Sequence, residues 1–220
     1  MSATPHSRSR IPGPIDPNAK TPLPEGVLCW VEARAETGYS NGDVITELTD
    51  LSGNGYPFTT LEGTSRWWEN GGKPYVTGTQ MRALIPAYGS NARTMVMAGT
   101  FPEASSPACS CGSTSVDATQ WAVSRAQLFT WGGDPTFTSM ATSPLVMIAT
   151  YEAGVTRIYE GATLRLNYLR TLNTSQYAYL FRWSNNDRQS TAHVYAWATW
   201  PRVLTDTERQ LAISHFGSLV

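Results

Sequence analysis

The sequence predicts an all-β protein: a two-sheet antiparallel jelly-roll sandwich with a short C-terminal helix and an extended, proline-rich N-terminal arm. Three observations predict it. Many short segments alternate apolar and polar side chains or are rich in β-branched and aromatic residues, which is typical of strands. Clusters of Gly, Asn, Asp, Ser and Pro separate these segments. Near the C-terminus, one segment has the capping residues and spacing of a helix.

The composition of the 220 residues limits the classes of function. Apolar residues make up 41%, with eight Trp, ten Tyr and six Phe, which suffices for one large sandwich core. Charged residues make up only 15%, against roughly 25% in ordinary soluble domains. The net charge of -1 gives no basic footprint for nucleic acid, and no stretch reaches the roughly 18 apolar residues of a membrane span. We therefore expect neither a nucleic-acid partner nor membrane insertion.

Residues 1–24 are the predicted arm, and residues 25–220 are the predicted sandwich domain. The arm is polar and proline-rich, so it cannot pack a core by itself. It has no apolar run of signal-peptide length, so export by the usual secretory route is not predicted. A segment of this composition becomes ordered mainly against another chain. Its candidate partner-binding residues are Pro5, Arg8, Arg10, Ile11, Pro12, Pro14, Ile15 and Pro17.

Strands are predicted along the domain in a regular order. Their ranges are 26–33, 44–48, 93–101, 121–131, 145–152, 155–159, 163–168, 178–184 and 193–200. The segment 67–76 is predicted as a turn beginning at Trp67 that leads into a short extended piece, and long loops cover 102–119 and 132–144. Alternation predicts that Tyr195 and Trp197 share one face of the last strand and that Trp200 lies on the other. Both faces are apolar, which indicates a central strand whose outer face is covered by loops or by a partner.

The segment after the last strand predicts the C-terminal helix. Thr205 and Glu208 have the spacing of a capping box, and Leu211, Ile213 and Phe216 give the helix an apolar side.

The three cysteines are too few for a disulfide scaffold and wrongly spaced for zinc. Cys29 is predicted to be a buried thiol. Cys109 and Cys111 fall in the predicted loop at 102–119.

Four segments, in order, resemble the LamG-like branch of the concanavalin A-like lectin/glucanase domains. They are VLCWVEA at 27–33, DLSGNG at 50–55, NGGKP at 70–74 and VLTDTER at 203–209. The resemblance implies a jelly-roll sandwich used for sugar binding, adhesion, protein contacts or, in some branches, glycan hydrolysis. The resemblance also implies a possible place in a virion, because many bacteriophage structural proteins carry a domain of this kind as a decoration or tail-surface module. The fold alone does not decide among these functions.

Catalysis is not predicted. Glu32 and Glu36 share a strand face, but their backbones would stand roughly 13 Å apart, too far for a glycosidase acid pair. The sequence has no nucleophile elbow, and His193 is interpreted as a rim histidine. Two acids on distant strands could still form such a pair, so glycan hydrolysis is the third hypothesis. Its test is whether two carboxylates lie close together in a cleft.

A calcium site at Asp50, Asn54 and a loop carbonyl is conceivable, because oxygen ligands converge in such turns. A turn capped by the Asp50 carboxylate, without an ion, is the favoured interpretation. We therefore expect no cofactor.

Sugar binding needs an exposed aromatic ring flanked by amides or acids. The candidate platforms are Trp67, Trp68, Trp131 and Trp183. Because Trp67 and Trp68 are adjacent in an extended segment, one of them must point away from the core.

The first functional hypothesis is a non-enzymatic structural protein of a phage virion, a capsid decoration or tail-surface component. Its arm and the apolar outer face of its last strand would contact neighbouring virion proteins, with other copies of the chain among them. The alternative is a carbohydrate-binding or adhesion module for host-surface glycans.

Overall fold

The computed structural model describes residues 23–85, 92–102, 109–112, 121–130, 135–169, 177–181 and 191–220. Within them two antiparallel sheets pack face to face, and one helix follows the last strand. The predicted sandwich with a short C-terminal helix is confirmed. The candidate arm residues, from Pro5 to Pro17, lie outside the described residues. No helix of the described part is long and apolar enough to cross a membrane.

The strands found in the described residues are numbered in chain order. They are β1 (Cys29–Glu32), β2 (Val44–Ile45), β3 (Glu47–Leu48), β4 (Phe58–Glu62), β5 (Ser65–Asn70), β6 (Lys73–Thr77), β7 (Gln80–Leu84), β8 (Ala92–Thr100), β9 (Cys109–Gly112), β10 (Trp121–Val123), β11 (Leu128–Thr130), β12 (Leu145–Glu152), β13 (Val155–Glu160), β14 (Thr163–Leu169), β15 (Tyr177–Leu180) and β16 (His193–Trp200). A short 3-10 helix (Ala33–Ala35) follows β1, and the α-helix is α1 (Asp206–Gly217).

The larger sheet contains nine of these described strands, in the order β14-β13-β12-β8-β16-β6-β5-β2, with β1 also paired to β16. The smaller sheet contains seven, in the order β11-β10-β9-β15-β7-β4-β3. All the pairings among them are antiparallel. As predicted, β16 is central, since it lies between β8 and β6.

The main core fills the space between the two sheets. Phe58 from the smaller sheet meets Trp197 from the larger one edge to face, with ring centroids 5.0 Å apart. Cys29 is fully buried there and donates from Sγ to the carbonyl of Tyr56, so the predicted buried thiol is confirmed. Burial raises the pKa of this thiol. Each large apolar side chain buried here contributes roughly 1.5–3 kcal/mol.

A second core covers the outer face of the larger sheet. Phe216 of α1 packs with Val96, Ile148 and Trp200, and all four are buried. The chain's own helix therefore covers the apolar outer face of β16, which was predicted to be covered by loops or a partner. This corrects the expectation that the same face contacts neighbouring proteins.

The predicted opposite faces of Trp197 and Trp200 are confirmed, but the prediction that Tyr195 shares the face of Trp197 is wrong because the strand contains a bulge. Val194 pairs with Gly99 and Ala196 with Ala98, so Tyr195 is the extra residue. Tyr195 consequently belongs to the second core, on the outer face of the larger sheet, which we call the outer cluster, whereas Trp197 points into the main core. The partner strand has glycine here because a Cβ on Gly99 would stand 2.8 Å from the carbonyl oxygen of His193.

The capping box of α1 is confirmed. The Thr205 hydroxyl accepts from the backbone N–H of Glu208, whose carboxylate accepts from the N–H of Thr205. The predicted apolar side is partly wrong: Leu211 is 52% exposed, and Ala212 is buried with Phe216 instead.

Several boundaries differ from the predicted ones. The segment 44–48 is two strands, β2 and β3, that belong to different sheets. Within the segment predicted as one strand at 121–131, residues 121–130 form a hairpin, β10 and β11, whose turn is held by a hydrogen bond from the Ser124 N–H to the Gln127 carbonyl. The segment predicted as a turn beginning at Trp67 is instead the hairpin β5–β6, with Gly71 and Gly72 at positive φ.

Three strands of the smaller sheet were not predicted. Strand β9, which carries Cys109 and Cys111, lies within the predicted loop at 102–119, and β4 and β7 flank the hairpin β5–β6. Their short segments lack the sustained alternation that identifies a strand.

The fold already includes the two residues at the predicted end of the arm. Leu23 is 4% exposed within the outer cluster. The indole N–H of Trp200 donates to the carbonyl of Pro24 at 3.0 Å.

Candidate functional site

Trp67 is a core residue, which corrects its assignment as a sugar platform. It is 7% exposed and donates from Nε1 to the carbonyl of Ala33 at 3.0 Å. Its ring stacks on Tyr39, with centroids 6.5 Å apart. Trp68 points to the opposite side of β5 and is half-buried. The two adjacent rings thus diverge, as predicted, and Trp68 is the outer one. Trp131 and Trp183 lie outside the described residues.

Trp68 belongs to a group of six side chains on the outer face of β5 and β6, which we call the β5–β6 face. Because Trp67 and Val76 point into the core, strand alternation places their neighbours outward. The facing pairs are Arg66 with Thr77, Trp68 with Tyr75, and Asn70 with Lys73. An aromatic pair therefore lies at the centre, with polar side chains at both ends.

The turn that precedes β2 supports the indole of Trp68. A Cβ added to Gly42 would stand 3.5–4.0 Å from three atoms of the six-membered ring, so the ring lies against the glycine backbone. Gly42 has φ +88°, which a glycine adopts readily. The amide of Asn41 fixes this turn to β5 by donating to the carbonyl of Glu69 and accepting from its N–H. The half-buried indole therefore keeps its other side toward solvent.

Tyr75 is held in place from the opposite side. Its ring stacks on His193, with centroids 4.4 Å apart and an interplanar angle of 18°, and contacts Tyr195 at 5.5 Å. Burial lowers the pKa of His193, so the imidazole is neutral at pH 7. Burial likewise raises the pKa of the Tyr75 phenol. Both rings are therefore uncharged at neutral pH, and they extend the aromatic surface from Trp68 to β16.

Some polar side chains around these rings already form hydrogen bonds within the protein, and others do not. Arg66 donates to the carbonyl of Gly42 at 2.6 Å, and Lys73 donates to the carbonyl of Val220. Asn70 is exposed. Within the described part of the chain its side-chain amide makes no hydrogen bond, so both its donors and its acceptor are available.

Glu32, one of the two acids considered for catalysis, is a structural group. It is 2% exposed and accepts from Nε1 of Trp30 and Nε of Arg34, and it contacts Nε2 of His215. Burial by itself raises the pKa of Glu32, but the hydrogen bond with His215 and the charge of Arg34 outweigh it and hold the pKa below the ordinary value. A 3-10 helix at Ala33–Ala35 separates Glu36 from β1, which corrects the expectation that the two acids share a strand face. Glu36 accepts from the N–H of Thr49 at 2.6 Å, and burial raises its pKa.

Asp50 caps its turn, as the favoured interpretation predicted. Its carboxylate accepts from the backbone N–H groups of Trp30, Ser52 and Tyr56 and from the Ser52 hydroxyl, at 2.8–3.0 Å. The Asn54 amide donates to the carbonyls of Val27 and Leu28. Donors therefore occupy the carboxylate that a cation would need. Across the described ranges, no three His, Cys, Asp or Glu side chains are grouped as metal ligands.

Comparison with known proteins reveals the fold. No protein-family model and no curated protein matches the sequence. Among solved structures, a sialidase from Trypanosoma rangeli matches with 14% identity and a TM-score of 0.63, over 86% of this chain and 33% of that one. Domain 4 of an extracellular GH43 arabinanase from Geobacillus stearothermophilus, in complex with arabinotriose, matches with 11% identity and a TM-score of 0.59, over 85% and 98%.

A third similar structure is the binding domain of botulinum neurotoxin DC in complex with rat synaptotagmin II. It is 9% identical, with a TM-score of 0.54, over 89% of this chain and 52% of that one. The chain shares their β-sandwich fold. It spans about a third of the length of the sialidase chains it matches. The expected β-sandwich is consistent with these neighbours.

Sequence reasoning identified Trp68 as a candidate, interpreted His193 only as a rim histidine and missed Tyr75. The spacing of Trp68 and Tyr75 about the glycine turn at 71–72 is the signal that could have paired them as opposite residues of a hairpin. His193 reaches Tyr75 only because of the bulge in β16, for which the sequence of that strand carries no signal.

Proposed function

We propose that this domain is a carbohydrate-binding β-sandwich module and that the β5–β6 face is its binding surface. The observation that carries the proposal is the pair of half-buried rings, Trp68 and Tyr75, that lie opposite each other on adjacent strands. An aromatic ring face binds the apolar C–H face of a pyranose. Asn70 at one end and Thr77 at the other supply hydroxyl and amide groups for hydrogen bonds with sugar hydroxyls.

The rigidity of the face supports the same proposal. Gly42 backs the indole of Trp68, and His193 backs the ring of Tyr75, so neither ring needs to be ordered when a ligand binds. The similar fold of the arabinanase domain, which was solved in complex with arabinotriose, is consistent with a glycan ligand. At 11% identity it does not indicate which sugar this chain would bind.

A glycan array followed by calorimetry tests the proposal. The full chain is screened first, and the best ligand is then titrated into W68A and Y75A. We expect each substitution to weaken binding about tenfold or more, because truncating a central aromatic anchor typically costs over 1.4 kcal/mol. L211A, which removes an exposed apolar side chain from α1, is the matched control and should bind like the wild type. A silent array, or a ligand that binds W68A and Y75A normally, would contradict the proposal.

A structural role in a virion remains a prediction. The arm on which it mainly depends lies outside the described residues, and the three similar structures named above are not described as virion proteins. Its test is the isolation of the chain from assembled particles together with its bound neighbours. Glycan hydrolysis is likewise a prediction, tested by incubating the array hits with the protein and analysing the products.

A further inference from the structure

The outer face of the smaller sheet carries a second group of side chains, on β7 and β15. Met81 and Ala83 of β7 point into the main core, as do Ala178 and Leu180 of β15. Alternation therefore places Arg82, Leu84 and Tyr177 on the outer side. Arg82 lies between Thr59 of β4 and Tyr179 of β15, and Leu84 lies opposite Tyr177. We call this group the Arg82 face.

Arg82 is a positioned cation that has no counterion among the residues the structure describes. Its guanidinium carbon lies 4.6 Å from the centroid of the Tyr177 ring, which fixes the plane of the group by a cation–π contact. In the described part of the chain, the guanidinium makes no ion pair and no hydrogen bond. Four other arginines each pair with a carboxylate within the fold: Arg34, Arg165, Arg202 and Arg209. The five donors of Arg82 are consequently available to a ligand.

Apolar surface lies beside this cation. Leu84, next to Tyr177 in the sheet, is 60% exposed, and Leu61 at the bulge in β4 is 47% exposed. Tyr177 also contacts Tyr179, with ring centroids 6.1 Å apart, so its own position is fixed. A ligand that fits here has one anionic group within reach of a small apolar surface.

We propose that the Arg82 face is a second binding site, which accepts the carboxylate of an acidic saccharide, such as a uronic or sialic acid. Arg82 binds the carboxylate through two parallel N–H···O bonds, Tyr177 positions the guanidinium, and Leu84 contacts the apolar side of the sugar ring. A peptide rich in acidic residues or a nucleic acid carries several charges and needs several cations, and the described part of this face has one. The site is on the opposite sheet from the β5–β6 face and does not depend on it.

The test is calorimetric titration of the full chain with matched acidic and neutral probes. The acidic probes are trigalacturonic acid and 3′-sialyllactose, and the neutral probes are the methyl ester of the former and lactose. We expect at least one acidic probe to bind more tightly than its neutral counterpart. R82Q should weaken that binding about tenfold or more, because a hydrogen-bonded charge pair is lost. R82K should restore only part of it, because lysine cannot bind a carboxylate in a bidentate way.

Two controls separate the site from general charge and from folding. R157Q removes another arginine that makes no ion pair within the described residues, on β13 of the other sheet, and should change the affinity less than about twofold. Y177F keeps the aromatic ring and should bind like the wild type, whereas Y177L should weaken binding with an unchanged melting temperature, as expected of a positioning residue.

The inference is overturned if no acidic probe binds, if R82Q binds like the wild type, or if R157Q weakens binding as much as R82Q. A triglutamate peptide that binds with the same dependence on Arg82 would overturn the assignment to a saccharide. W68A distinguishes the two proposals: binding of the acidic probe that is lost in W68A and kept in R82Q contradicts this inference and supports the β5–β6 face.

Discussion

The Nε2 atom of His215, on α1, lies 2.5 Å from Oε1 of Glu32, on β1. The same carboxylate accepts from the indole of Trp30 and the guanidinium of Arg34, so it is saturated with partners although it is buried. A buried carboxylate is stable only with such partners. Glu32 therefore fastens the C-terminal helix to the first strand of the larger sheet.

Replacing Glu32 should destabilise the protein and change how its stability depends on pH. We expect E32Q to lower the free energy of unfolding by about 3 kcal/mol at pH 7, because breaking a buried ion pair leaves its partners unsatisfied. The pKa of Glu32 is held below its ordinary value of 4.5, so its contribution is complete above that pH and is lost as the pH falls through the lower folded value. Urea unfolding between pH 3 and pH 7 measures both effects.

The control for this prediction is E152Q, which changes an exposed glutamate at the end of β12. Its stability should follow that of the wild type at every pH. If E32Q lost stability in acid as steeply as the wild type does, Glu32 would not be responsible for that part of the pH dependence.

Replacing Trp67 should destabilise the protein much more than replacing Trp68. W67A should cost about 3–5 kcal/mol of unfolding free energy, since it leaves a cavity in the core and removes the indole hydrogen bond to the carbonyl of Ala33. W68A should cost about 1 kcal/mol or less, because its ring is half-buried on the surface. Guanidinium unfolding curves provide the comparison. Equal losses of stability in the two variants would show that the face assignment of β5 is wrong.

The turn at Asp50 should depend on its carboxylate and not on a cation. We expect D50A to destabilise the fold by about 3 kcal/mol, because four donors lose their charged acceptor. Because we expect no calcium to bind at this turn, neither calcium nor EDTA should change the melting temperature. A ligand that binds the folded state would raise it. A calcium-dependent increase in the melting temperature, absent in D50A, would instead establish a metal site.

Gly99 should be required at the bulge in β16. An added methyl group would stand 2.7 Å from the ring of Phe101 and 2.8 Å from the carbonyl oxygen of His193. We expect G99A to cost about 1–3 kcal/mol through this overpacking. G217A is the matched control, because no atom lies within 4 Å of the added group, and it should be close to neutral. Thermal unfolding of both variants, with tryptophan fluorescence as the probe, tests this.

The elements that the sequence predicted well are those set by local patterns. Strands β12 and β16 have the predicted bounds, and α1 begins at the predicted capping box, because alternation and helix caps act over a few neighbouring residues. The misassigned features depend on distant partners. The bulge in β16 is specified by Gly99 in another strand, and the division of 44–48 depends on which sheet each half meets.

In the candidate sites, too, local features could be predicted from the sequence and long-range contacts could not. The divergence of Trp67 and Trp68 follows from strand periodicity alone, although which ring points outward depends on the register with Tyr75 and Val76. The stacking of Tyr75 on His193 and of Arg82 on Tyr177 joins residues more than 90 positions apart. No local pattern in a single sequence encodes such pairs.

The division of 44–48 between two strands also affects how the protein opens. Ile45 pairs with Ser65 in the larger sheet and Leu48 with Phe58 in the smaller one, with only Thr46 between the two strands. Because this short segment is hydrogen-bonded to both sheets, local opening of one sheet should also disturb the pairing of the other. Amide exchange at Ile45 and Leu48 should accordingly report a shared opening event, and the two layers should melt together as a single cooperative unit.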